Sequence, residues 1–178
     1  MKNICIGLFE GETLPECLAA FKDVKLDLEF GKITTIHTLN QLDCEKIVVV
    51  GLGDGKKNIK EAFSKVDADD YLVYVTENTA YAAGFGLVYG AYSYKETKVY
   101  DLESDVFKDE FEKGKTVARI VNHAREMSDM PANFLTPDHL VDEAKMVAEK
   151  YDMEIEVLAQ DDLEEIGAGA LLAVNQGS

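Results

Sequence analysis

Residues 46–53, Lys-Ile-Val-Val-Val-Gly-Leu-Gly, decide the fold class. Four consecutive apolar residues closed by Gly51 are the pattern of a strand buried on both faces, as in a parallel sheet covered by crossover helices. A second such run, Tyr71-Leu-Val-Tyr-Val75, follows a helical stripe at Ile59, Ala62, Phe63 and Val66. Working outward, residues 2–9 predict a strand, and Leu14 to Phe21 a short helix with Pro15 in its first turn. Residues 33–39 are rich in β-branched side chains and predict another strand, and Thr79 to Tyr92 predict a helix rich in Ala and Gly. Strands alternating with helices imply an α/β domain with a mostly parallel sheet.

The character changes at Asp101. Six acids and one lysine crowd residues 101–112, which places the end of the first domain at about residue 106. A long helix is predicted from Phe107 to Met127, with Phe111, Val117, Ile120, Val121 and Ala124 on one face. It closes before Pro131, because a proline pushes its predecessor out of the helical region. Thr136 then caps a new helix, with Pro137 at its first position and Asp138, Asp142 and Glu143 near its N-terminus. Residues 154–158 alternate as a strand, residues 161–166 form a short helix stopped by Gly167, and residues 170–174 read as a buried strand.

Composition narrows the function classes. The 178 residues carry 18 Lys+Arg against 34 Asp+Glu, a net charge of −16. Phosphate backbones and anionic membranes repel such a surface, and the basic residues are dispersed, with Lys56-Lys57 the tightest pair. No apolar run approaches the ~20 residues needed to span a bilayer. The opening MKNICIGLFEGE is too short in apolar residues for a secretory signal. Cys5, Cys17 and Cys44 have no zinc-ligand spacing and read as reduced, mostly core residues of a cytoplasmic protein.

Chemistry is not declared by any single motif. Gly51-Leu-Gly-Asp-Gly55 lies between a strand and a helix, where backbone N–H groups and Lys56 and Lys57 could hold an anion. It matches neither the dinucleotide fingerprint nor a P-loop, and a tight turn is the favoured reading. Gly84, Gly86 and Gly90 inside a helix each cost ~1 kcal/mol relative to alanine, which points to close packing of that helix on the sheet, with a ligand approaching the backbone as the alternative. His37, His123 and His139 are scattered over different elements. The acid pairs Asp69-Asp70, Asp161-Asp162 and Glu164-Glu165 read as solvated faces or helix N-termini.

One segment carries a family resemblance. Residues 124–137, AREMSDMPANFLTP, resemble the signature that opens the catalytic domain of the leucine aminopeptidase (cytosol aminopeptidase) family, with Ala124, Arg125, Pro131, Ala132, Asn133, Leu135, Thr136 and Pro137 matching. Asp129 stands where the family most often has Asn, which puts a local hydrogen bond in question. GAGALLAVNQGS (residues 167–178) is similar to the family's later strand region, and residues 47–53 and 84–98 are similar to its N-terminal domain.

The resemblance implies a macro-domain-like N-terminal domain with a mixed, mostly parallel sheet between helices (residues 1–106). A connecting helix (107–130) and a truncated α/β segment (131–178), the first part of the catalytic domain, would follow. It also implies a hexameric, peptide-cleaving parent with two divalent ions, zinc or manganese, whose Lys, Asp and Glu ligands lie in two downstream motifs. Neither motif occurs in residues 1–178. Such ions lower the pKa of a bridging water and polarise the carbonyl. The expectation is therefore an N-terminal fragment of an aminopeptidase, ending mid-motif at Gln176-Gly177-Ser178 and inactive alone. No residue is assigned a catalytic, cofactor-binding or metal role. Either self-association through unpaired strands at 154–158 and 170–174, or disorder after Ile166, is expected. The alternatives are a free-standing macro-like module binding a nucleotide or ADP-ribose, and a non-catalytic assembly subunit.

Overall fold

The computed structural model describes residues 2–94, 96–97 and 99–176. Lys95 and Lys98 of the 84–98 stretch, and Gly177 and Ser178 at the end of the signature region, lie outside the described residues. The chain divides into two compact units, Met1–Asp129 and Met130–Ser178.

The first unit is built on a sheet of five strands: β1 (Asn3–Leu8), β2 (Ile33–His37), β3 (Lys46–Gly51), β4 (Tyr71–Tyr74) and β5 (Leu102–Glu103). Their order is β2-β3-β1-β4-β5. β1 pairs in parallel with both β3 and β4, β4 pairs in parallel with β5, and only β2 runs antiparallel, against β3. The sheet is mixed and mostly parallel, as the apolar runs imply. β3 shows why: Val48 and Val50 join the core on one face, Ile47 and Val49 that on the other, and all four are buried.

On the first face lie α1 (Ile59–Phe63), α2 (Ala80–Gly90) and α3 (Lys108–Asp129), whose Phe63, Ala83, Leu87 and Phe111 pack on Cys5, Tyr71 and Val73. The opposite face is covered by a 3-10 helix (Glu16–Phe21) that buries Leu18 and Phe21 on Ile4, Ile6 and Ile36. Asn58 caps α1 by accepting from the Lys60 N–H at 3.2 Å.

The second unit holds α4 (Pro137–Lys150), α5 (Gln160–Glu165) and α6 (Gly169–Asn175). Thr136 Oγ1 accepts from the His139 N–H at 3.4 Å, so the predicted cap forms. Gly167, at φ +73°, stops α5 as its freedom from a Cβ permits. Among the described residues of this unit Ala148 is the buried hydrophobic one, while Phe134, Ile155, Ile166, Leu171 and Val174 are exposed.

Three expectations are corrected. Residues 154–158 are exposed coil: the alternation of Glu154, Ile155, Glu156 and Val157 is present, but no neighbouring strand offers it a ladder among the described residues. Residues 170–174 fold into α6, because Ala-Leu-Leu-Ala-Val without a pairing strand follows its helix propensity. The self-association route through these two strands therefore has no strands to use. β5, in the acidic stretch near the expected end of the first domain, was not predicted as a strand, because its single buried residue, Leu102, gave no periodic signal.

Candidate functional site

The features with functional potential gather where α2 meets α3, and glycine sets their spacing. A Cβ on Gly84 would fall well inside contact distance of the Phe111 carbonyl oxygen, and one on Gly114 would strike the Tyr81 carbonyl oxygen. On its other side α2 presses on α1: a Cβ on Gly86 would stand 2.5 Å from the Lys60 oxygen, and one on Gly90 would overlap Ser64. These helical glycines are thus explained by close packing, but on neighbouring helices rather than on the sheet.

Close approach also decides which face of α3 is buried. The apolar residues Ile120 and Ala124 point outward, and the buried stripe is Phe111, Gly114, Lys115, Ala118 and Asn122. The polar members of that stripe satisfy backbone carbonyls left at helix and strand ends. Lys115 Nζ donates to Leu102 O at 2.7 Å and pairs with Glu112 at 2.6 Å. Asn122 Nδ2 donates to Val88 O at 2.9 Å. Arg125 donates to Tyr89 O and to Asn122 Oδ1, both at 3.0 Å. Its guanidinium also lies 4.3 Å from the Tyr89 ring centre and 4.2 Å from that of Tyr92, a cation held by two aromatic faces. The Tyr92 hydroxyl donates to Asp129 Oδ2 at 2.6 Å. Desolvation, then this bond and the Asp129 charge, push the Tyr92 phenol up to about 12.

Sequence reading missed Gly114, Lys115 and Asn122. The signal was the spacing 111, 114, 115, 118 and 122, a complete helical stripe hidden because three of its five members are glycine or polar.

Beside this seam lies a groove of about 360 Å³, lined by α2, Thr97, Val99, Tyr100, Leu102 and α3. Arg119, Asn122, His123 and Glu126 of α3 border it.

The Gly51–Gly55 stretch is a turn. Gly51 N–H donates to Lys32 O, Leu52 N–H to Leu8 O and Gly53 N–H to Leu28 O, at 2.8, 2.8 and 3.0 Å. Gly53 and Gly55 take φ of +64° and +79°. Lys56 folds back on Asp54 at 2.6 Å, and that contact lowers the Asp54 pKa and raises that of Lys56. Three N–H groups that an anion would need are already donated.

The acid pairs do more than face solvent. Asp69 pairs with Lys46 at 2.8 Å and accepts from Asn3 Nδ2 at 3.0 Å, and these contacts hold its carboxyl below the usual range. Asp70 accepts from the Asp101 N–H at 2.8 Å. Asp162 accepts from the Ala159 N–H at the start of α5.

His37, His123 and His139 sit on β2, α3 and α4. Among the described residues no group of three or more His, Cys, Asp or Glu side chains converges to hold a metal ion. The residues present do not fit a two-metal centre. No helix among the described residues is long and apolar enough to cross a membrane.

The signature residues Ala124 and Arg125 lie in α3, and Pro131 begins a turn closed by the Phe134 N–H to Pro131 O bond at 2.8 Å. Thr136 and Pro137 open α4.

Two solved structures share the fold. The bottromycin maturation enzyme BotP in complex with Mn superposes with a TM-score of 0.71 at 18% identity, over 93% of this chain and 40% of that one. The cytosol aminopeptidase from Coxiella burnetii superposes at 0.67 and 17% identity, over 92% of this chain and 39% of that one. A probable cytosol aminopeptidase from Exiguobacterium sibiricum is 42% identical over 104 residues, which is 54% of this chain and 22% of that protein. Residues 122–178 match the cytosol aminopeptidase family, catalytic domain. Over these stretches the chain is similar to the leucine aminopeptidase, or cytosol aminopeptidase, family, and it spans less than a quarter of the length of this curated relative.

Proposed function

We propose that residues 1–178 form the N-terminal portion of a metal-dependent, leucine-type aminopeptidase that removes N-terminal residues from peptides in the cytoplasm. The single observation carrying this reading is the match of residues 122–178 to the family's catalytic domain, which begins inside α3 of the first compact unit. In this reading residues 1–106 are an assembly and support domain, residues 107–130 a connecting helix, and residues 131–178 the opening of the catalytic domain. The two divalent ions, zinc or manganese, would take their ligands from other segments of the full enzyme, and the parent would be a hexamer. Alone, the chain supports but does not perform hydrolysis.

The test is release of p-nitroaniline from leucine p-nitroanilide with added zinc or manganese. The 178-residue chain is expected to give none, and the full coding sequence is expected to give metal-dependent release. Metal-dependent turnover by the chain alone would overturn the reading. The nucleotide-binding alternative is disfavoured by the turn at Gly51–Gly55, whose N–H groups are donated to Lys32, Leu8 and Leu28. Calorimetry with ADP-ribose checks it directly, and no heat of binding is expected.

A further inference from the structure

Asp54-Gly55 is the chain's one Asp-Gly step, and no Asn precedes a glycine anywhere in it. The step lies in the connection between β3 and α1, and both residues are exposed. At an Asp-Gly step the backbone nitrogen of the glycine can attack the aspartate Cγ and close a five-membered imide. Glycine permits this closure most readily, because no Cβ crowds its nitrogen. Here the nitrogen is unspent. The Gly55 N–H donates to no group among the described residues, whereas Gly51, Leu52 and Gly53 all donate to backbone carbonyls. Gly55 stands at φ +79°, and among the described residues only the Phe9 ring comes within 4 Å of where its Cβ would be.

The electrophile, by contrast, is restrained. Asp54 Oδ1 accepts from the Lys56 N–H at 3.1 Å, and Oδ2 accepts from Lys56 Nζ at 2.6 Å. One residue holds both oxygens. A carboxylate is a poor electrophile, and the neutral acid, which can lose water, is the reacting form. The hydrogen bond from the Lys56 ammonium lowers the Asp54 pKa and so keeps the reacting form scarce. Glu10, on the segment after β1, adds its charge to that of Asp54 in holding Lys56 protonated. Lys57 turns instead to the Phe30 ring, 5.0 Å from its centre.

We propose that Asp54-Gly55 is a site of spontaneous backbone isomerisation, with Lys56 as its brake. Gly55 N bonds to Asp54 Cγ, and the amide proton leaves with the carboxyl hydroxyl as one water. Water then opens the imide at either carbonyl. Opening at the Asp54 carbonyl carbon breaks its bond to Gly55 N and leaves the main chain running through Cγ. The product is isoaspartate, with no net change of mass. One extra backbone atom then falls between two anchored points, the Gly53 N–H bonded to Leu28 O at 3.0 Å and the Asn58 cap of α1. The freed α-carboxylate is the group that a protein isoaspartyl methyltransferase esterifies. No peptide substrate or metal enters these steps, so they stand apart from the aminopeptidase reading.

The test is ageing of the 178-residue chain at physiological temperature and mildly acidic pH. Tryptic mapping follows, with methyl transfer from S-adenosylmethionine by that methyltransferase. The peptide of residues 47–56 should divide into two species of equal mass, one of them methylated. Lys56→Ala should accumulate the isomer at least about twofold faster, and its rate should fall off at higher pH than the wild-type rate. Lys56→Arg, which keeps the cation, should stay near the wild-type rate. Asp54→Glu should yield no isomer, because its ring would need six members. Both positions are exposed, so all three variants should keep the wild-type circular dichroism. No isomer in the folded wild type over a period in which a synthetic peptide of residues 49–58 isomerises would overturn the proposal. So would a Lys56→Ala rate no higher than that of the wild type.

Discussion

The Tyr92 phenol and the Asp129 carboxylate meet at 2.6 Å, tying the segment just after α2 to the last residue of α3. Asp129 is the departure from the family signature, and it accepts this hydrogen bond from Tyr92. With Arg125 stacked on the same ring, one aromatic side chain joins two charged residues of the helix end.

Replacing Asp129→Asn keeps an acceptor and removes a charge. Tyr92 should then ionise nearer the ordinary ~10 of tyrosine than the value of about 12 it has beside the carboxylate. Tyrosinate absorbance, taken as the difference from Tyr92→Phe, measures this. The folded pKa lies above the unfolded one, so the associated stabilisation is complete below pH ~10 and is lost as pH rises through about 12. Denaturation curves should show an alkaline loss in the wild type that Tyr92→Phe reduces. Parallel pH profiles for the two proteins would count against the linkage.

Gly84→Ala and Gly90→Ala should destabilise the chain. Alanine ordinarily improves a helix interior by ~1 kcal/mol, but here the added carbon meets the backbone oxygens of Phe111 and Ser64. Overpacking of this kind costs about 1–3 kcal/mol. Gly169→Ala, where nothing lies within 4 Å of the added carbon, should show no such loss. Urea denaturation distinguishes the outcomes.

Thiol reactivity should follow burial. Cys17 is exposed and should react first with a disulfide reagent, and Cys44 more slowly, its pKa raised by desolvation and by Asp43. Burial pushes the Cys5 thiol up to about 12, so it should react only after unfolding. Early modification of Cys5 under native conditions would contradict its place in the core.

Amide hydrogen exchange should divide at residue 130. The strands β1, β3 and β4 lie between two buried clusters and should exchange slowly, while α5 and α6, with no buried side chains described, should exchange within the early time points. Comparable protection in both sets of elements would show that the second unit is held by more than its own contacts.

The sheet was legible because a strand buried on both faces writes an unbroken apolar run, and Ile47 to Val50 do so. The cap at Thr136 was legible because its chemistry is local. What escaped was non-local. Leu102 is a strand residue only because Tyr71 pairs with it. Residues 170–174 have a composition that both a buried strand and a helix accept, and only a pairing partner separates the two. The buried face of α3 was misread because apolar count was taken as the guide, whereas Gly114 and the carbonyls served by Lys115 and Asn122 determine it. The groove at Arg119 and Glu126 needs three segments to be brought together, which no spacing within one of them reveals.

The central position of β1 has a consequence for synthesis. β1 leaves the ribosome before either strand it pairs with, residues 46–51 on one side and 71–74 on the other, so Asn3 waits 68 residues for Tyr71. At roughly 5–20 residues per second that delay is about 3–14 s. Throughout it Ile4, Cys5 and Ile6 have no finished sheet to enter, and the nascent chain offers chaperones an apolar segment that the completed sheet conceals.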